Sequence, residues 1–389
     1  MKTFRKLIVA ALLIFLLSIT PLGTIADTGV TIGERTGNSG DIFKGSATAD
    51  INDGGNATPP TPTQTPDAMN TPEPTATPSP TPLPSPTPSL PTPSPTPSNQ
   101  YVPPEHITPP TPNPETAANR ANPAVMAQLV GPQPTPFSPP RAVNPWRSSY
   151  RSPFDADGNL STRRQEFSFR RNTAFQPVEA FIDYDIRPFG GSYIGDITRP
   201  VVYLTFDEGF YGGFMGEILD ILRDMEVHAA FFICAAFVRT APHLALRMIE
   251  EGHIVANHSH GHPDMSGMSA NDIAWEIQEL ERLFYNATGH HMHRYFRFPY
   301  GAYSMSSLRH VHELGYRTLF WSLAFYDWNV NNQPGMASSF RSVTNHVHNG
   351  AVILLHSVSR SNTEALPYII EHLRFMGFEF GRISEIFEN

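Results

Sequence analysis

The chain holds a single cysteine, Cys234, in 389 residues, so no intrachain disulfide can form. Cys234 ends the apolar run Ala229-Ala230-Phe231-Phe232-Ile233-Cys234, where a small buried hydrophobe is the expected role. Charge is also sparse: 16% of residues are charged, the net value is −9, and Lys and Arg form no stripe. Phosphate binding needs clustered cations, which excludes nucleic acid as a partner. Comfortable membrane spans are missing too. The apolar run Leu7 to Leu17 is shorter than the ~20 residues a spanning helix requires. Lys2, Arg5 and Lys6 precede it, and the small residues of Thr24-Ile25-Ala26 follow. That layout predicts a signal peptide over 1–26 and an exported protein. Ile19 to Ile25 adds apolar length, so an uncleaved N-terminal membrane anchor is the alternative to secretion.

Proline is abundant: there are 39, most of them before Arg151. Thr-Pro, Ser-Pro and Pro-Thr steps dominate from Pro59 to about Pro140. Proline fixes φ and removes a hydrogen-bond donor, so such a segment cannot pack a core and favours polyproline II. Residues 27–149 are therefore expected to be a disordered Pro/Thr/Ser-rich linker. Eighty such residues could reach ~250 Å at ~3.1 Å each, and a passive spacer is the reading favoured over a binding role. Residues 150–199, with Phe167, Phe169, Phe181 and Tyr184, read as an N-terminal extension of the domain that follows.

From residue 200 to 389 short β-branched and aromatic runs alternate with helical patterns. Strands are predicted at Val201–Asp207, Ala229–Cys234, His253–His258, Tyr295–Pro299, Arg317–Leu323, Ala351–His356 and Glu379–Ile383. Helices are predicted at Phe214–Met225, Ala241–Glu251, Ala270–Asn286, Ser306–Leu314, Ser338–His348 and Thr363–Met376. Such alternation implies parallel βαβ units. About seven repeats favour a (β/α) barrel over an open sheet. The unusual polar residues fall at or just past strand ends, where such a barrel builds its active site: Asp207, His258, Arg297, Asp327 and His356.

Asp207 and Glu208 are adjacent carboxylates before Gly209. They fit a cation that keeps both ionised, or equally a solvated turn. His258 and His262 lie four apart, which on a helical turn puts both imidazoles on one side, a spacing suited to one metal. With a carboxylate they make a credible catalytic zinc site. Arg297, followed by Pro299 and Gly301, could grip Asp207 in a bidentate contact, and the turn could aim a backbone N–H at an oxyanion. His356 near Asp327 suits a general acid. Taken singly, each of these has a bland structural explanation. His290, His291 and His293 lie in a polar loop and are read as solvated surface.

Taken in order, the segments resemble the five motifs of the polysaccharide deacetylases of carbohydrate esterase family 4, over roughly Pro200 to Phe387. The likeness is closest to the delta-lactam-biosynthetic (muramic acid) de-N-acetylases. Phe320 to Trp328, Asn331-Asn332-Gln333 and Leu354 to Asn362 carry it. The resemblance implies a polysaccharide deacetylase domain over 200–389, folded as a distorted, TIM-like (β/α) barrel, and metal-dependent hydrolysis of an N-acetyl group. By position Asp207 would be the general base, oriented by Arg297. His356, tuned by Asp327, would protonate the leaving amine. Glu208, His258 and His262 would hold a divalent metal, zinc in the first instance. Tyr300 would offer a backbone N–H to the oxyanion, Leu354 would line the acetyl pocket, and Trp328 would face substrate. Glu208 departs from the family's usual Asp, which pushes its carboxylate out by about one C–C bond.

The resulting expectation is a monomeric peptidoglycan de-N-acetylase acting at the cell wall on N-acetylmuramic acid. The alternatives are an N-acetylglucosamine or chitin-type deacetylase, an O-acetyl esterase and a decayed glycan-binding module.

Overall fold

In the computed structural model residues 42–44, 121–130 and 144–388 are described. The expected signal peptide and most of the expected linker lie outside them. In chain order the first elements are β1 (Ile42–Lys44), α1 (Pro123–Val130), β2 (Gln165–Glu166), β3 (Ser168–Arg170) and β4 (Gly191–Ser192). The βα alternation then runs β5 (Val201–Glu208), α2 (Met215–Asp224), β6 (Ala230–Ile233), α3 (Ala235–Thr240), α4 (Pro242–Glu250), β7 (Ile254–Asn257), α5 (Ala270–Thr288) and β8 (His293–Phe296). It ends with β9 (Ala302–Tyr303), α6 (Met305–Glu313), β10 (Arg317–Leu319), α7 (Met336–Thr344), β11 (Ala351–His356), α8 (Arg360–Phe375) and β12 (Glu379–Phe380).

One parallel sheet organises the domain in the order β11-β5-β6-β7-β8-β10-β4, with β12 on the start of β5. It curls back on itself. Just past β10, Leu323 bridges Ile353 of β11 in parallel, and Ser322 N–H donates to the Val352 carbonyl (3.0 Å). This is the expected distorted (β/α) barrel.

Every residue of β5 is buried, because both faces are covered. Its alternate residues join different cores. Val202, Leu204 and Phe206 pack with Ile218 and Leu219 of α2 and Ile369 and Ile370 of α8, while Val201 and Tyr203 join Phe232, Ala256 and Leu354 on the other face. Each fully buried Phe or Leu here contributes roughly 1.5–3 kcal/mol. Helix ends are fixed by local chemistry. Ser269 caps α5 by accepting from the Asp272 N–H (3.2 Å), and Gly289 closes it at φ 76°.

Several expectations shift. α1 lies inside the stretch assigned to linker, and Val125, Met126 and Leu129 pack against the outer core. The strand expected at Tyr295–Pro299 sits earlier, as β8, so Arg297 projects from the turn beyond it. α3 was not expected. The extension at 150–199 contributes β2 to β4, and Phe167 stacks on Phe320 at 4.5 Å. His293 belongs to half-buried β8 rather than to a solvated loop, and burial pulls its imidazole down to about 4. Cys234 is buried as expected. Among the described residues no helix is long and apolar enough to cross a membrane.

Candidate active site

Asp207, at the end of β5, is in register with His356 on β11 and with Phe232 on β6. Arg297 comes from across the barrel and is wholly buried. Its Nη1 donates to Asp207 Oδ1 (2.7 Å) and to Thr205 Oγ1 (3.1 Å). Its Nε and Nη2 donate to the backbone carbonyls of Leu319 (2.9 Å) and Phe320 (3.3 Å). The contact with Asp207 is thus single rather than bidentate, because the remaining donors fix the guanidinium to the turn after β10. Burial pushes the Asp207 carboxyl up, but Arg297, then His258 and His356, outweigh it and hold it below the usual carboxylate value.

His258 and His262 do meet, with ring centroids 4.9 Å apart, but not on a helical turn. The stretch after β7 is irregular, and Ser259 (φ 68°) and His262 (φ 58°) are left-handed. Side chains hold the loop. Ser259 N–H donates to Asn257 Oδ1 (2.9 Å), and His262 N–H donates to Ser259 Oγ (2.9 Å). Tyr300 is a third left-handed residue (φ 59°), and its ring lies 4.6 Å from that of His262. Such conformations cost of order 1–3 kcal/mol and tend to gather at functional sites. The Arg297 carbonyl accepts from His258 Nδ1 (2.8 Å), which leaves Nε2 facing Asp207 Oδ2 at 3.5 Å. Burial keeps both imidazoles neutral, with His262 brought down to about 3.

His356 completes the group. Its Nδ1 lies 2.7 Å from Asp327 Oδ1, and its backbone N–H donates to Asp327 Oδ2 (2.9 Å). Burial alone would lower the imidazole, yet Asp327 raises it above the ordinary histidine value. Trp328 stands 5.9 Å from the His356 ring and Tyr326 packs on Trp328 at 4.3 Å. Leu354 is buried two residues before His356, on the same face of β11.

Glu208 is the exception. As the next residue on β5 it takes the opposite face from Asp207. It is fully buried, and Ser357 Oγ donates to its Oε2. Burial raises its pKa well above the usual value, with the neighbouring Asp207 charge adding to the rise. Among the described residues no group of three or more His, Cys, Asp or Glu side chains converges in a metal-binding arrangement. The two neutral imidazoles fit a divalent cation, since Nδ1 of His258 is fixed by a carbonyl and Nε2 remains as donor. Of the Glu208 carboxyl, one oxygen accepts from Ser357 Oγ, and the other, Oε1, is buried without a hydrogen-bond partner among the described residues.

Three participants escape sequence reasoning. Thr205 links Arg297 to the Ile353 carbonyl, which accepts from its Oγ1 (2.8 Å). Asn257 shapes the histidine loop, and Asn362 touches Asp327. Only strand alternation could have flagged Thr205, two residues before Asp207 on the same face.

The site thus offers a carboxylate held below its usual proton affinity beside an imidazole raised above its own, in register on adjacent strands. The polysaccharide deacetylase family model matches residues 195–319. The peptidoglycan-N-acetylmuramic acid deacetylase PdaA of Bacillus subtilis is 37% identical over 222 residues, covering 57% of this chain and 84% of that protein. The chain belongs to the polysaccharide deacetylase family. The solved structure of Bacillus subtilis PdaA, a family 4 carbohydrate esterase, matches this deacetylase with a TM-score of 0.56 and 35% identity, over 58% of this chain and 98% of that one. A chitooligosaccharide deacetylase of Sinorhizobium fredii is 36% identical over 157 residues, 40% of this chain and 72% of that protein. This polysaccharide deacetylase is accordingly a hydrolase that removes N-acetyl groups from a glycan.

Proposed function

We propose that the protein de-N-acetylates peptidoglycan outside the cytoplasm, acting on N-acetylmuramic acid. The observation that carries the chemistry is the pairing of Asp207 with His356 across β5 and β11, the carboxyl lowered by Arg297 and the imidazole raised by Asp327. The muramic acid assignment is supported by the similarity to PdaA, which extends over most of that protein.

An amide carbonyl is a poor electrophile and its amine a poor leaving group. Hydrolysis therefore needs a base for the attacking water and an acid for the departing nitrogen. In this reading Asp207 takes the proton from water, and Arg297 holds that carboxylate in one orientation and keeps its proton affinity low. His356 Nε2 delivers a proton to the sugar nitrogen as the C–N bond breaks, leaving acetate and a free amine. Asp327 keeps Nδ1 protonated, so the opposite ring nitrogen faces the substrate. A divalent cation, zinc by donor chemistry, would be held by His258 and His262 and would supply polarisation of the acetyl carbonyl and acidification of the water. The Tyr300 N–H binds the developing oxyanion, Leu354 meets the acetyl methyl group, and Trp328 offers an aromatic face to the sugar.

The test is mass analysis of peptidoglycan digests after incubation with the purified protein. Loss of acetyl from muramic acid alone is expected. Loss from glucosamine would move the assignment to the other sugar. Acetate released only from O-acetylated glycan, or bound glycan with no acetate released, would overturn it.

A further inference from the structure

Asp327 carries three hydrogen bonds, and the His356 ring and backbone account for two. The third comes from Asn362, whose Nδ2 lies 2.5 Å from Asp327 Oδ2 and 3.3 Å from the His356 carbonyl oxygen. Asn362 is buried, in the first turn of α8, with Oδ1 unpartnered among the described residues. An amide that leaves its oxygen unsatisfied to aim its nitrogen at a carboxylate is placed for that carboxylate.

Its own backbone is pinned as well. Asn362 N–H donates to Ser359 Oγ (3.2 Å), and Ser359 Oγ donates to Gln333 Oε1 (2.7 Å). Gln333 Nε2 in turn donates to the Asn329 carbonyl (2.7 Å), and Gly335 N–H donates to Ser361 Oγ (2.9 Å), so the loop bearing Asp327 and the start of α8 are joined at three places. We infer that Asn362 is the positioning residue of the Asp327–His356 pair, locking the Asp327 carboxylate so that one oxygen meets the ring and the other meets the strand. It acts through Asp327 and touches no reacting atom. The inference rests on His356 being the proton donor.

The charged and titratable groups around His356 are Asp327, Asp207, Arg297, His258 and His262. None of them needs to change charge for this role. Rotational freedom of Asp327 is the quantity Asn362 removes.

A double-mutant cycle on acetate release tests it. Asn362→Ala should lower kcat about 10-fold, a fraction of what a general acid contributes, with KM unchanged. The same substitution in an Asp327→Asn background should add nothing further. The downfield proton resonance of His356 Nδ1–H should move upfield in Asn362→Ala. Asn362→Leu, which fills the space without the donor, should behave alike. Additive losses, an unmoved resonance, or a fall confined to thermal stability would overturn the inference. An Asp327→Asn single variant with wild-type kcat would instead sink the general-acid reading itself, and this inference with it.

Discussion

Asp207 and Glu208 share a peptide bond, and the strand sends them to two different environments. Asp207 faces Arg297 and His356, and the Arg297 charge above all overcomes burial and holds the carboxyl below its usual value. Glu208 faces the helical side of β5, where Ser357 is its hydrogen-bond partner and burial wins, raising its carboxyl well above the usual value. The same side-chain chemistry one position apart is thus split between reaction and packing. What decides is the company on each face, and each prediction below strains that contrast.

The largest effect should come from Asp207→Asn. The amide still accepts from Arg297, so folding should be retained, while acetate release should fall by about 10²–10⁴-fold, the span assigned to a positioned acid or base. Assay of acetate from the purified variant checks this, and full activity would remove Asp207 from the chemistry.

Next is the pH profile. His356 is raised above its ordinary value of 6.5, and the protonated form is the one that serves as acid. Activity should therefore hold below that raised value and decline as pH rises through it. Asp207, held below 3.8, leaves the neutral range free of an acid-side loss of its own. Asp327→Asn removes the stabilising charge and should draw the alkaline decline toward lower pH, read from kcat/KM between acidic and alkaline buffers. A decline at unchanged pH would separate Asp327 from His356.

A smaller change is expected in cation retention. His258→Ala or His262→Ala removes a donor nitrogen and should weaken divalent cation binding by about 10–100-fold or more, whereas Glu208→Gln should leave it unchanged. Metal content after dialysis, set beside the unsubstituted protein, distinguishes the two. Loss of metal from Glu208→Gln would mean that the carboxyl turns toward the imidazoles when a cation is present.

Much of the barrel was legible because its strands are β-branched and aromatic runs buried on both faces, and the period of the intervening helices is clear. The rim residues were legible as polar interruptions at strand ends. Sequence spacing was a weaker guide to what brings them together. His258 and His262 meet through left-handed Ser259 and His262, not through a helical turn. Adjacency suggested that Asp207 and Glu208 share a cation, whereas a strand's two-residue period separates them. Asn362 ends a stretch that carries the family likeness, but its role could not be read, since an Asn near a helix start ordinarily signals capping and its partner lies 35 residues away. The helix Pro123–Val130 was hidden in a proline-rich stretch, and only its packing against the core reveals it.

The smallest effect is on stability, and it isolates Glu208. Its pKa is raised on folding, so the buried neutral carboxyl contributes fully below the unfolded value, near 4.5. That contribution is lost as pH rises from there through the folded value, because ionisation is easier in the unfolded chain. Glu208→Gln keeps an acceptor for Ser357 Oγ and cannot ionise. The variant should be nearly isoenergetic with the parent in acid, and its advantage should grow as pH rises through neutrality. Thermal melts from mildly acidic to mildly alkaline buffer would show the parent's Tm falling relative to the variant's. If the two curves ran parallel, Glu208 would titrate alike in both states, and the separation of the two faces of β5 would lose its electrostatic half.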